Sequence, residues 1–66
     1  MPFVNIKIIK GQSAETKKRI TEATVRAISE NTKIPMDKIW VLFEDVETED
    51  WFVGPKSVAE IRGGGR

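Results

Sequence analysis

The chain of 66 residues has room for one small domain, and a chain of that size buries only about 60% of the surface its unfolded form exposes. It contains no cysteine and no histidine, which removes disulfide staples, thiolate nucleophiles, the usual zinc donor sets and His-based triads together. Eleven Lys and Arg against ten Asp and Glu leave a net charge of +1, too even a balance for an electrostatic grip on nucleic acid.

The segment from Phe3 to Lys10 reads as a β-strand. It is rich in β-branched residues, with Val4, Ile6 and Ile8 on one face and Phe3, Asn5, Lys7 and Ile9 on the other. Gly11-Gln12-Ser13 is a turn, and Ser13 is a good N-cap because its hydroxyl can accept a free amide hydrogen of the next turn. Glu15 in that turn suits the positive end of the helix dipole.

From Ala14 to about Thr32 the period changes to that of a helix, with Ile20, Ala23, Ala27 and Ile28 as the expected inward stripe. Lys17, Lys18, Glu22, Arg26 and Glu30 lie largely off that stripe and read as a solvated face. Ile34-Pro35 ends the helix, because the residue before a proline avoids the α region.

Lys38 to Val46 is a second strand, with Ile39, Val41 and Phe43 pointing one way and Trp40, Leu42 and Glu44 the other. An acidic turn follows, Glu47-Thr48-Glu49-Asp50, and without a glycine-pivoted loop it reads as solvated rather than as a cation site. Next come the aromatic segment Trp51-Phe52-Val53, the break at Gly54-Pro55, and Val58-Ala59-Glu60-Ile61 as a short helix or a hairpin arm. The expected domain covers residues 1–62, with a flexible glycine-rich tail over 63–66.

Strand, helix and strand with tight joints make an α/β fold with one βαβ unit and a parallel two-stranded core. One helix covers one face of that sheet, and the face carrying Phe3, Ile9, Trp40 and Leu42 has no cover within the chain. Two strands do not form an independently stable sheet, so sheets completed by oligomerisation are expected. The start has no basic stretch leading into a long apolar one, as a secretory signal would. The longest apolar run, Ile39 to Phe43, is far short of the ~20 residues of a spanning helix. A cytoplasmic protein with no membrane contact is the expectation.

With histidine and cysteine absent, the unusual candidate for acid–base chemistry is Pro2. A small residue after the initiator methionine permits its removal, and the exposed terminus would then be a secondary amine. Enclosing that amine among apolar side chains penalises its charged form and lowers its pKa, which makes it a workable general base near neutral pH.

Pro2, the strand Phe3–Ile8, the turn Gly11-Gln12-Ser13, the amphipathic helix, Pro35, the strand Ile39–Glu44 and the aromatic Trp51 together resemble the 4-oxalocrotonate tautomerase family over nearly the whole chain. The resemblance implies small βαβ subunits assembled as hexamers, with an amino-terminal proline as general base and no metal or organic cofactor. It implies keto–enol proton transfer on a 2-oxo acid, with Pro2 catalytic and Trp51 lining the pocket. The family places arginines that hold substrate carboxylates where this chain has Gln12 and Trp40. Gln12 supplies hydrogen bonds but no charge, and Trp40 one indole N–H.

Three consequences of those two positions stay open on sequence alone. The substrate is larger and more apolar than a short dicarboxylate, with Trp40 stacking on it. Alternatively, Lys10, Lys38 or a neighbouring subunit holds the anion. Or the chain is a weakly active or non-catalytic subunit of a hetero-oligomer. Trp40 and Trp51 fit interface or core aromatics as well as ligand contacts.

Overall fold

The computed structural model describes residues 2–63. In chain order it comprises β1 (Phe3–Ile9), α1 (Ala14–Thr32), a 3-10 turn (Met36–Lys38), β2 (Trp40–Val46), a second 3-10 turn (Thr48–Asp50), β3 (Phe52–Val53), β4 (Lys56–Ser57) and α2 (Val58–Gly63). β1 and β2 pair in parallel, from Phe3 opposite Trp40 to Ile9 opposite Val46. The ladder runs one residue past each end, because the Trp40 N–H donates to the Pro2 carbonyl (3.0 Å) and the Lys10 N–H to the Val46 carbonyl (3.0 Å). β3 and β4 form a separate antiparallel hairpin. The expected βαβ unit is therefore present, and the C-terminal piece is a hairpin followed by a helix rather than one or the other.

Local chemistry explains the joints. Gly11, at φ +122°, occupies a backbone region that side chains disfavour and lets β1 turn into α1. The Ser13 hydroxyl accepts the Thr16 N–H at 3.1 Å and caps α1. The helix stops where Lys33 adopts the left-handed conformation (φ 66°) and its N–H donates to the Ser29 carbonyl at 2.8 Å. Met36–Lys38 tightens into a 3-10 turn, so β2 begins at Trp40 rather than at Lys38. In the β3–β4 hairpin, Gly54 has φ +65°. Only the first central residue of a type II′ turn needs positive φ, and Pro55 fits the second.

The helix stripe differs from the expected one. Ile20 and Ile28 face the sheet, but Ala23 and Ala27 are exposed and Thr24 and Val25 take the inward places. Thr24 can do so because its hydroxyl donates to the Ile20 carbonyl at 2.8 Å, leaving its methyl for packing. Lys17 spans the same interface. Its ammonium lies 2.8 and 3.0 Å from the two carboxylate oxygens of Asp45 and 5.9 Å from the centre of the Phe43 ring.

Val4, Ile6, Ile8, Val41 and Phe43 are only half-buried under α1. Among the described residues Ile39, at 8% exposure, is the single buried apolar side chain. The radius of gyration is 15.4 Å, whereas a compact chain of this length would have about 11 Å. Its accessible surface is 5129 Å², against about 4,200 Å² for a compact monomer of this size. On the open face of the sheet Phe3, Trp40 and Leu42 lie in the sun of solvent at 59%, 60% and 47% exposure. One chain thus builds half of a core. The glycine-rich tail expected over 63–66 divides differently: Gly63 closes α2, and residues 64–66 lie outside those described. No helix among the described residues is long and apolar enough to cross a membrane.

Candidate active site

Pro2 stands at the N-terminal end of β1, half-buried. Having no N–H to give, it joins the ladder through its carbonyl alone, which accepts the Trp40 N–H at 3.0 Å. That bond fixes Pro2 beside the start of β2, next to the buried Ile39. The strand register sets Phe3 opposite Trp40, so two exposed aromatic side chains border Pro2 on the open face. Two of the four expected site residues, Pro2 and Trp40, are therefore neighbours.

Gln12 and Trp51 are not with them. β1 has seven residues and runs about 20 Å from first to last at ~3.3 Å per residue. Gln12 follows its far end, exposed, in the turn before α1. Trp51 follows the second 3-10 turn, beyond Val46 at that same far end. The link from Val46 to Trp51 includes three residues of tight helix and reaches about 15 Å at most, less than the length of the strand. The molecule measures 48 Å along its longest axis, whereas α1 accounts for about 28 Å at 1.5 Å per residue. The hairpin and α2 make up the difference by projecting past the sheet.

Trp51 is held firmly at the base of that projection. Its carbonyl accepts the Val58 N–H at 2.7 Å, closing the hairpin. Ser57 and Glu60 then cap α2 reciprocally: the Ser57 hydroxyl accepts the Glu60 N–H at 3.1 Å, and the Glu60 carboxylate accepts the Ser57 N–H at 2.9 Å. These hydrogen bonds position Trp51, which lies at the opposite end of the β1–β2 sheet from Pro2.

The charges near these ends are mostly committed. Lys10 pairs with Glu47 at 2.9 Å, and hydrogen bonding to that carboxylate raises its pKa from 10.5. On the open face Lys7 pairs with Glu44, and that hydrogen bond holds the Glu44 carboxyl below its ordinary 4.5. Lys38, two residues before Trp40, has no ion-pair partner among the described residues. No group of three or more metal-ligating side chains converges among them. Phe3, which the sequence reading did not place near Pro2, stands opposite Trp40, and strand alternation puts the two on the same face.

The strand–helix–strand unit and the Pro2 at its head fall within a single family match. The family described as "Tautomerase enzyme" matches residues 2–61. A probable tautomerase of Bacillus cereus is 33% identical over 60 residues, covering 91% of this chain and 98% of the relative. The 2-hydroxymuconate tautomerase of Comamonas testosteroni is 34% identical over 61 residues, covering 92% and 97%. Among solved structures, TomN, a 4-oxalocrotonate tautomerase homologue in the tomaymycin biosynthetic pathway, superposes with a TM-score of 0.90 at 32% identity over 94% of this chain and 95% of its own. A heterohexameric 4-oxalocrotonate tautomerase from Chloroflexus aurantiacus superposes with a TM-score of 0.86 at 27% identity, covering 94% and 100%. The chain belongs to the tautomerase family, in its 4-oxalocrotonate tautomerase branch, and membership supports a tautomerase-type function.

Proposed function

We propose that the protein is a cofactor-independent tautomerase whose general base is the nitrogen of Pro2, freed when Met1 is removed. The observation that carries this reading is the position of Pro2: half-buried at the head of β1, held through its carbonyl by Trp40, with its ring nitrogen outside the strand ladder. In the forward direction the neutral amine takes the proton of an enol hydroxyl, charge spreads through the conjugated system toward carbon, and the protonated amine returns the proton there. No atom is gained or lost, and no oxidant is needed. Apolar surroundings keep the amine neutral, and positioned proton transfer of this kind contributes about 10²–10⁴-fold in rate. The substrate class is an enol of a 2-oxo acid, in keeping with the 2-hydroxymuconate tautomerase of Comamonas.

A complete pocket in this reading takes Pro2 and Trp40 from one copy, and Gln12 and Trp51 from others. The open sheet face and the thin core support such an oligomer, a homohexamer by the family resemblance. The test pairs intact mass of the cellular protein with the activity of Pro2→Ala on 2-hydroxymuconate and phenylenolpyruvate. Loss of Met1 and a fall of 100-fold or more in kcat/KM are expected. Retained Met1, or activity untouched by the substitution, contradicts the role.

A second reading has two observations in its favour. Neither Gln12 nor Trp40 is cationic, and the Chloroflexus relative is a heterohexamer. In that case the chain is a weakly active or non-catalytic subunit, and another chain supplies the charges. Native mass of the chain purified alone separates the two: a stable homohexamer supports the first, and a monomer that assembles only with a second chain supports the other.

A further inference from the structure

We infer that Ile39 is a positioning residue for Pro2: its buried side chain fixes the start of β2, and through the next amide, that of Trp40, it fixes where Pro2 stands. The inference rests on the reading of Pro2 as general base and adds what holds that base in place. A residue at a chain end frays unless something ties it down, and Pro2 has little to tie it. It lacks an N–H, and what it gives the ladder is its carbonyl, which accepts the Trp40 N–H at 3.0 Å. A general base must be held within hydrogen-bond reach of the proton it takes, and a displacement of about 1 Å can cost about 10²-fold in rate.

That hydrogen bond is only as fixed as its donor. Trp40 does not anchor itself, because its side chain is 60% exposed, and Lys38 on the other side of Ile39 is exposed too. Between them Ile39 is buried, the single apolar side chain among the described residues that the chain encloses. Its backbone is tied as well. The Lys38 N–H donates to the Pro35 carbonyl at 3.0 Å and the Ile39 N–H to the Met36 carbonyl at 3.2 Å, and the amide after them, that of Trp40, turns to Pro2. Ile39 thus joins the core to the 3-10 turn and the turn to the head of β1. One register step before Phe3 and Trp40, Pro2 and Ile39 also fall on the face that α1 covers. Ile39 is buried within a single chain, so this anchor does not depend on which copies meet on the open face. It is not a residue that touches substrate; it acts through the backbone.

The experiment compares wild type, Ile39→Ala, Ile39→Val and Ile20→Ala at matched native mass, reading amide exchange at Trp40 and the pH profiles of kcat and kcat/KM with phenylenolpyruvate. Ile20 faces the same sheet from α1, so truncating it removes packing without loosening the start of β2. Ile39→Ala is expected to speed exchange at Trp40 tenfold or more and to lower kcat more than it raises KM. The acid limb of its kcat/KM profile is expected half a pH unit or more higher, because a loosened Pro2 is better hydrated and its charged form less penalised. Ile39→Val removes a single methyl group and shows the same changes in smaller degree, so the inference can be read even where Ile39→Ala does not assemble. Ile20→Ala is expected to lower the urea midpoint and leave Trp40 exchange and the acid limb where they are in wild type. Exchange at Trp40 within threefold of wild type in both Ile39 variants overturns the inference, as does an Ile20→Ala profile displaced as far as theirs. Full activity in Pro2→Ala strikes the general-base reading instead, and exchange at Trp40 then decides alone whether Ile39 holds residue 2.

Discussion

Ser57 and Glu60 each satisfy the other's backbone: the Ser57 hydroxyl takes the Glu60 N–H at 3.1 Å and the Glu60 carboxylate takes the Ser57 N–H at 2.9 Å. Ser57 is the buried polar residue of the described chain, at 6% exposure, so water cannot easily replace its partner. Helix α2 is six residues long, too short to persist on propensity alone. Ser57→Ala should therefore cost about 1 kcal/mol and loosen α2 together with the hairpin that holds Trp51. Urea midpoints and amide exchange at Glu60 check this, with faster exchange expected there.

Lys33 ends α1 in the left-handed conformation, at φ 66°, where a residue with a Cβ is strained by roughly 1–2 kcal/mol. Its side chain makes only a marginal 3.5 Å approach to the Glu30 carbonyl. Lys33→Gly removes the strain but adds freedom to the unfolded chain, so a net gain of about 0.5–1 kcal/mol is expected. Chemical denaturation measures it, and a loss of stability would mean that the Lys33 side chain holds something in the assembled protein.

The two shifted ionisations act at opposite ends of the pH scale. Lys7 holds Glu44 below its ordinary 4.5, so this pair's contribution is present above that value and disappears as pH falls through the lowered one. Glu47 raises Lys10 above 10.5, so that contribution is whole below 10.5 and is lost as pH rises through the raised value. Both pairs are exposed, and salt weakens them. Lys7→Gln should thus lower the urea midpoint slightly at pH 7 in low salt, and the gap from wild type should narrow as pH falls through the lowered Glu44 value. A gap that widened on acidification would reverse the sign.

Much of the fold was legible because its periods are clean. The alternation in Phe3–Ile9 and Trp40–Val46, the Ser13 cap and the stop at Pro35 define strand, helix and strand without help. The inward stripe of α1 was misread at Ala23 and Ala27, since hydrophobicity counting passes over a threonine whose hydroxyl is satisfied by its own helix, as Thr24 is by Ile20. The Ser57-to-Glu60 spacing is a capping box in the sequence itself, and it decides between helix and hairpin arm only once Ser57 is recognised as the cap. In the site, the nearness of Pro2 and Trp40 follows from strand register. The separation of Gln12 and Trp51 from Pro2 follows from strand length.

The most direct test of the central claim is a ¹⁵N NMR titration of proline-labelled, assembled protein. The chain has three prolines, and only Pro2 can carry a titratable nitrogen, because the nitrogens of Pro35 and Pro55 are amides within the chain. A Pro2 signal that titrates with its midpoint below the ~7.7–8.0 of an ordinary α-amino group is the predicted result. A nitrogen that does not titrate, or does so above that range, would contradict it.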